Sequence, residues 1–207
     1  MEEELKKALT ELRADKQRKF SQTVDLIINL KKYDIKKNPI NIFVRVPHKI
    51  KEKKICAFLE TKNKDVETIT EAEFKKYSDK NELKKIVKNF DFFIAQASLM
   101  PKVATTFGRS LGPVGKMPSP QLGVLMDVNE KSINELKERI NSSVKIRTKE
   151  ASVKLAIGSE KMNDKDIIEN ITSIYDSLIK VLPREKDNIK NIEIKFTMSK
   201  PKKVEIK

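Results

Sequence analysis

Residues that could do chemistry fall at three places, and the most suggestive is Gly112-Pro113-Val114-Gly115-Lys116. It lies within Leu111 to Leu122, LGPVGKMPSPQL, a stretch with two glycines and three prolines. Glycine reaches backbone angles that side chains forbid and proline fixes φ, so this density predicts a constrained loop. A glycine-rich loop ending in lysine can cradle a phosphate. A P-loop, however, needs a glycine, four residues, then Gly-Lys followed by a hydroxyl for magnesium. Here Ser110 stands at the first glycine position and Met117 at the hydroxyl position. Gly108, Gly112 and Gly115 also lack the spacing of a dinucleotide fingerprint. The stretch therefore reads as a turn or rigid joint, with a phosphate-binding α/β enzyme using Gly112 to Lys116 as the alternative.

The second place is Arg18-Lys19-Phe20. An aromatic ring among cations can stack on a base while the cations neutralise phosphates. A phenylalanine at the start of a strand can equally cap the edge of a core, and spacing alone favours that. Lys36, Lys37 and Arg147 are further basic candidates for a polyanion. The third place holds His48 and Cys56. His48, the single histidine, follows Pro47 in a linker with no serine or cysteine partner indicated. Cys56 sits in the apolar run Ile55 to Leu59 and reads as a buried strand residue. Carboxylates are scattered over helical faces. No nucleophile with a base, no metal cluster and no cofactor site emerges, so the chain is not expected to be an enzyme.

Charge points toward a partner instead. Lys and Arg number 44 against 30 Asp and Glu, a net +14. Such an excess favours polyanions, because each neutralised phosphate releases a counterion. The excess is spread evenly along the chain, which predicts a folded basic face rather than a disordered arm. A single cysteine excludes an internal disulfide and, with one histidine, argues against structural zinc. No apolar run approaches a membrane span and MEEE is unlike a signal peptide, so a soluble intracellular chain is expected.

The elements that position these residues follow from periodicity. Residues 2–14 predict a helix, with Leu5, Ala8, Leu9 and Leu12 on one face. Val24 to Leu30 and Ile40 to Val46 alternate as half-buried strands, which predicts a two-strand unit joined through Tyr33 to Pro39. Lys54 to Leu59 and Phe90 to Ala95 predict short buried strands; Glu67 to Phe74, Asn81 to Lys88 and residues 101–110 predict helices. Buried strands separated by helices argue a parallel sheet covered on both faces. Asp127 predicts the cap of a helix carrying Ile133, Leu136 and Ile140, and Asp164 the cap of another running to Leu182. Alternation returns at Val144 to Ile146, Val153 to Ile157, Ile192 to Phe196 and Val204 to Ile206. Antiparallel flanks around a parallel middle predict a fold of α+β and α/β type in two domains. Residues 1–48 and 140–207 form the α+β domain, interrupted by a three-layer α/β domain at 49–139.

Longer matches carry a resemblance. Leu99 to Gly123, LMPKVATTFGRSLGPVGKMPSPQLG, is similar to the signature of the ribosomal protein L-one family, the universal stalk protein of the large ribosomal subunit. The form KMPSPQLG resembles its archaeal and eukaryotic branch. Arg18 to Leu26 resembles that family's opening strand, and Phe196-Thr197-Met198 its closing one. The resemblance implies a hinge near 47–50 and 139–142, with the discontinuous α+β domain making most of the RNA contact. It carries over Lys19, Phe20 and Thr23, and Thr197 and Met198, as RNA-binding residues. Lys36, Arg147 and Ser199 complete the candidate set. The family usually has glycine where Ser199 stands, so a Cβ meets the RNA there unless the serine hydroxyl bonds a phosphate or ribose.

The implied function is a cytoplasmic structural constituent of the ribosome that binds large-subunit ribosomal RNA and contacts transfer RNA at the exit site. The implied regulation is repression of its own messenger RNA. The chain is expected to be a monomer when free. A nonspecific basic nucleic-acid-binding module remains an alternative.

Overall fold

A computed structural model describes residues 1–15, 18–126 and 128–204. The predicted cap Asp127 and the terminal Ile206 lie outside the described residues. In chain order the elements are α1 (Glu2–Arg13), β1 (Thr23–Leu30), β2 (Asn41–Arg45), β3 (Ile55–Phe58) and β4 (Glu67–Ile69). A 3-10 segment (Glu71–Ser78) leads to α2 (Lys80–Asn89), β5 (Phe92–Gln96), α3 (Met100–Val114), β6 (Val124–Leu125) and α4 (Glu130–Asn141). Then come β7 (Ser143–Arg147), β8 (Ser152–Ser159), α5 (Asp164–Ile179), β9 (Ile189–Phe196) and β10 (Lys202–Val204). The chain divides into two units, residues 1–51 with 142–207 and residues 52–141. The sequence reading drew the boundaries at 48/49 and 139/140.

In the discontinuous unit, β1 alternates between the two faces of its sheet. Val24, Leu26, Ile28 and Leu30 are buried while Thr23, Asp25, Ile27 and Asn29 lie on the opposite face. The sheet is antiparallel, ordered β10-β9-β1-β8. Its buried face shares a core with Leu5, Ala8, Leu9 and Leu12 of α1 and with Ile167, Ile171, Ile174 and Leu178 of α5. Each such leucine or isoleucine contributes about 1.5–3 kcal/mol of transfer free energy. Asn170 of α5 is fully buried. Its Oδ1 accepts the His48 N–H while its Nδ2 donates to the carbonyls of His48 and Ile157.

The predicted pairing of the first two strands is corrected. β1 is flanked on both sides, by β8 and β9, and has no free edge for β2. β2 pairs with β7 instead as a two-stranded antiparallel ribbon, with Val44 opposite Val144. Period-2 alternation reveals which face a strand buries, but not which strand lies beside it. Asp164 is also not the cap of α5. It is the first helical residue, Asn163 holds the cap position, and the Asp164 carboxylate accepts from the Arg13 guanidinium at 2.8 Å.

The inserted unit is a parallel sheet ordered β4-β3-β5-β6. All four residues of β3 are buried, so both faces of the sheet are covered, as in a three-layer α/β arrangement. One face carries an aromatic cluster. Phe58 meets Phe74 edge-on at 5.8 Å, stacks on Phe93 at 5.7 Å and lies 4.8 Å from Phe107. Cys56 is buried beside it, and burial first, then the charge of Glu67, pushes its thiol up to about 12. Such a thiol is protonated and inert at neutral pH.

Two expectations change in this unit. The helix predicted over Glu67 to Phe74 is a strand followed by a 3-10 segment. Glu67 to Ile69 pair in parallel with β3, and the helical turns begin only after Thr70. Thr70 and Glu73 form a reciprocal capping box that fixes the start. The first four residues of the Gly/Pro stretch are helix rather than loop. α3 runs through Gly112 and Pro113 to Val114, and Gly115 ends it at φ 78° with its N–H on the last carbonyls. That left-handed cap is the conformation glycine supplies at little cost.

Candidate RNA interface

The start of β1, the end of β9 and the turn after β8 converge at one end of the antiparallel sheet. β1 begins beside the last residues of β9, so Thr23 and Thr197 are bonded neighbours. The Thr197 N–H donates to the Thr23 carbonyl at 3.1 Å and the Thr23 N–H to Thr197 Oγ1 at 3.0 Å. The two hydroxyls are 2.9 Å apart, and Thr23 Oγ1 donates to Asp25 Oδ1 at 3.4 Å. On the other flank the Ser21 and Ser159 hydroxyls are 3.1 Å apart. Four hydroxyls thus line the sheet end.

Gln22 locks the three segments together. It is 5% exposed, and its Oε1 accepts the Met198 N–H at 3.2 Å. Its backbone N–H donates to the Glu160 carboxylate at 3.1 Å, and its carbonyl accepts the Glu160 N–H at 2.8 Å. Arg13, at the end of α1, holds the same turn with donations to the carbonyls of Glu160 and Met162 and to Asp164. The turn therefore arrives preorganised, with Lys161 exposed on it.

Around this frame two apolar side chains face outward. Phe20 is 52% exposed and Met198 59% exposed, so neither belongs to the core. Arg18, Lys19 and Lys200 are exposed beside them in sequence. Ser199 is turned inward: its Oγ accepts the Phe196 N–H at 2.8 Å and lies 3.3 Å from the Phe196 carbonyl. Its hydroxyl closes the turn after β9.

The structure brings Lys19, Phe20, Thr23, Thr197, Met198 and Ser199 to one end of the sheet. It places Lys36 and Arg147 elsewhere. Lys36 lies in the connection from β1 to β2, and Arg147 ends β7 opposite Asn41. Sequence reasoning missed Gln22, Ser159, Glu160 and Arg13. Their types signal nothing alone, because their role is set by partners as far as 176 positions away.

Hydroxyls that donate and accept, an exposed ring and nearby cations can hold ribose hydroxyls, bases and phosphates. The phosphate-cradle alternative fails on geometry. Lys116 Nζ donates to the carbonyls of Val87 and Phe90, both at 2.7 Å, and so caps the end of α2. Where an open parallel sheet reverses its strand order, ligands commonly settle at the strands' carboxyl ends. Here that point lies between β3 and β5. Its polar groups bond each other: Ser98 donates to Glu60 at 2.9 Å, and the Glu60 N–H reaches Gln96 at 3.3 Å.

Fold and site describe a two-unit protein whose antiparallel sheet ends in bonded hydroxyls beside exposed Phe20 and Met198. The sequence profile of the Ribosomal protein L1p/L10e family matches residues 12–200, and this chain belongs to that family. A Pyrobaculum aerophilum protein named large ribosomal subunit protein uL1 is 37% identical, covering 93% of this chain and 89% of its own length. The protein of the same name from Nanoarchaeum equitans is 34% identical over 90% of this chain and 92% of its own. That from Thermofilum pendens is 35% identical over 99% and 92%.

Proposed function

We propose that this chain is a constituent of the large ribosomal subunit that binds large-subunit ribosomal RNA through the end of its antiparallel sheet. It forms the mobile stalk at the transfer-RNA exit site and contacts transfer RNA there. It also represses translation of its own messenger RNA by binding a fold that imitates the ribosomal one. The connections near 47–50 and 139–142 serve as the hinge between an RNA-binding unit and an inserted one. Family membership supports the ribosomal role, and the names of the relatives support the large subunit.

The observation that carries the RNA surface is the bonded Thr23–Thr197 pair flanked by exposed Phe20 and Met198. Exposed apolar side chains fixed beside preorganised hydroxyls gain most when a base and a ribose cover them. Ser199 acts here by holding the turn.

The test is a binding titration against a large-subunit ribosomal RNA fragment at several salt concentrations. Phe20→Ala, Thr197→Ala and Met198→Ala leave the net charge at +14. Each should lower affinity with the salt slope nearly constant, and Phe20→Ala by about 1–3 kcal/mol, the worth of one stacked base. Lys19→Ala should instead reduce the slope by roughly one unit and weaken all RNAs alike. Silent Thr197 and Met198 variants beside equal losses for every lysine would leave a nonspecific basic module.

A further inference from the structure

The opposite end of the antiparallel sheet carries a second concentration of charge. β1 rises about 3.3 Å per residue, so Leu30 lies roughly 23 Å from Thr23. Three connections meet there. The Leu30 N–H donates to the Ala151 carbonyl at 2.8 Å, and the Lys31 N–H to the Asn188 carbonyl at 2.7 Å. Ile40 and Thr148 are bonded in both directions, at 3.0 and 3.1 Å. The segments 31–40, 147–151 and 184–190 thus form one surface.

That surface is basic and rigid. Its 22 residues hold nine Lys and Arg against four Asp and Glu, an excess of five in a chain whose total is +14. Lys31, Lys32, Lys36, Lys37, Lys149, Lys186 and Lys190 are exposed. The nearby acids are partly used: Glu150 pairs with Lys154 at 3.4 Å, and Asp34 accepts the Lys36 N–H at 3.0 Å. Asn188, 1% exposed, clamps the loops, donating to the carbonyls of Lys31 and Lys32 and accepting the Arg184 N–H. Lys32 is held at φ 52°.

We propose that this end is a second RNA contact, distinct from the hydroxyl-lined end, which grips the phosphate backbone of a double-helical segment without reading its sequence. The proposal rests on the reading of the chain as an RNA-binding ribosomal protein. Lysines spread over three loops suit the distributed charge of a duplex backbone, where point charges neutralise phosphates without base contact. An acidic protein partner would call for an apolar anchor among the charges. The one aromatic side chain in these segments, Tyr33, is half-buried with its hydroxyl donating to the Asn38 carbonyl.

The experiment uses the full chain carrying Thr197→Ala and Met198→Ala, so that the first surface is impaired, and a short RNA duplex of arbitrary sequence. Adding Lys32→Ala, Lys36→Ala, Lys37→Ala and Lys186→Ala should lower the salt slope by roughly three units and weaken binding at least ~tenfold. Arginine at those four positions should retain the parent slope. Alanine at four exposed lysines of the inserted unit, Lys75, Lys76, Lys84 and Lys88, removes the same charge and should change the slope by less than one unit. An unchanged slope in the first set, or an equal drop in the control set, overturns the second contact. Loss of binding to polyglutamate but not to the duplex also overturns it, in favour of an acidic protein. The hydroxyl-lined end is judged separately, by the effect of the two background substitutions on the ribosomal RNA fragment.

Discussion

Both units present residues of promising type at a strand or helix end, yet they use them in opposite ways. In the inserted unit, Lys116 follows a glycine pair, and its ammonium is spent on the carbonyls that end α2. At the sheet end of the discontinuous unit, the backbone groups are satisfied by Gln22, Glu160, Arg13 and Ser199. That leaves Phe20 and Met198 facing outward. A motif is structural when its polar atoms end on the chain itself. It is available for binding when other residues have taken over that work.

The largest expected effect separates the units. Phe58→Ala opens the aromatic cluster of the inserted unit and should cost about 3–5 kcal/mol, the usual range for a buried phenylalanine. Calorimetry should show the lower-melting transition in the inserted unit, and titration with the ribosomal RNA fragment should stay within twofold of the parent. A parallel loss of affinity would mean that the inserted unit takes part in binding.

A smaller effect sharpens the contrast at Lys116. Lys116→Met keeps the length of the side chain and removes the donor, leaving the carbonyls of Val87 and Phe90 without their ammonium. Denaturant unfolding should show a loss of about 1–3 kcal/mol, with no change in RNA affinity. Acquired or lost binding of a nucleoside triphosphate in either form would return the phosphate-cradle reading.

The smallest effect concerns His48. Its Nε2 lies 2.7 Å from Glu169 and 3.8 Å from Asp166. The Glu169 hydrogen bond raises its pKa above the ordinary 6.5, partial desolvation works against the rise, and the two carboxylate charges reinforce it. The folded state therefore holds the proton more tightly than the unfolded chain. The stability this adds is full below 6.5 and is lost as pH rises through the raised value. Melting temperature followed between pH 5.5 and 8.5 should show a shallow decline that His48→Gln flattens. An identical profile in the variant would place the pH dependence on other groups.

The sequence by itself determined the family and much, but not all, of the local structure. Alternation at Val24 to Leu30 and the short apolar strands at Lys54 to Leu59 and Phe90 to Ala95 are read directly. Which face a strand buries depends on its own side chains, so one segment suffices. Lys19, Phe20, Thr23, Thr197 and Met198 were expected together through their resemblance to two family strands, and the structure gathers them at one end of the sheet. Strand partners were not legible: β2 lies against β7, about a hundred positions away, rather than β1, its neighbour in sequence. Nor was the helical character of Gly112 and Pro113, because α3 packs Phe107 and Leu111 into a core that holds its last turn in place. The outward placement of Phe20 and Met198, and the clamp of Gln22, Glu160 and Arg13 behind them, belong to tertiary structure alone. A side chain's exposure and hydrogen-bond partners depend on what folding brings beside it, and neighbours in sequence do not encode that.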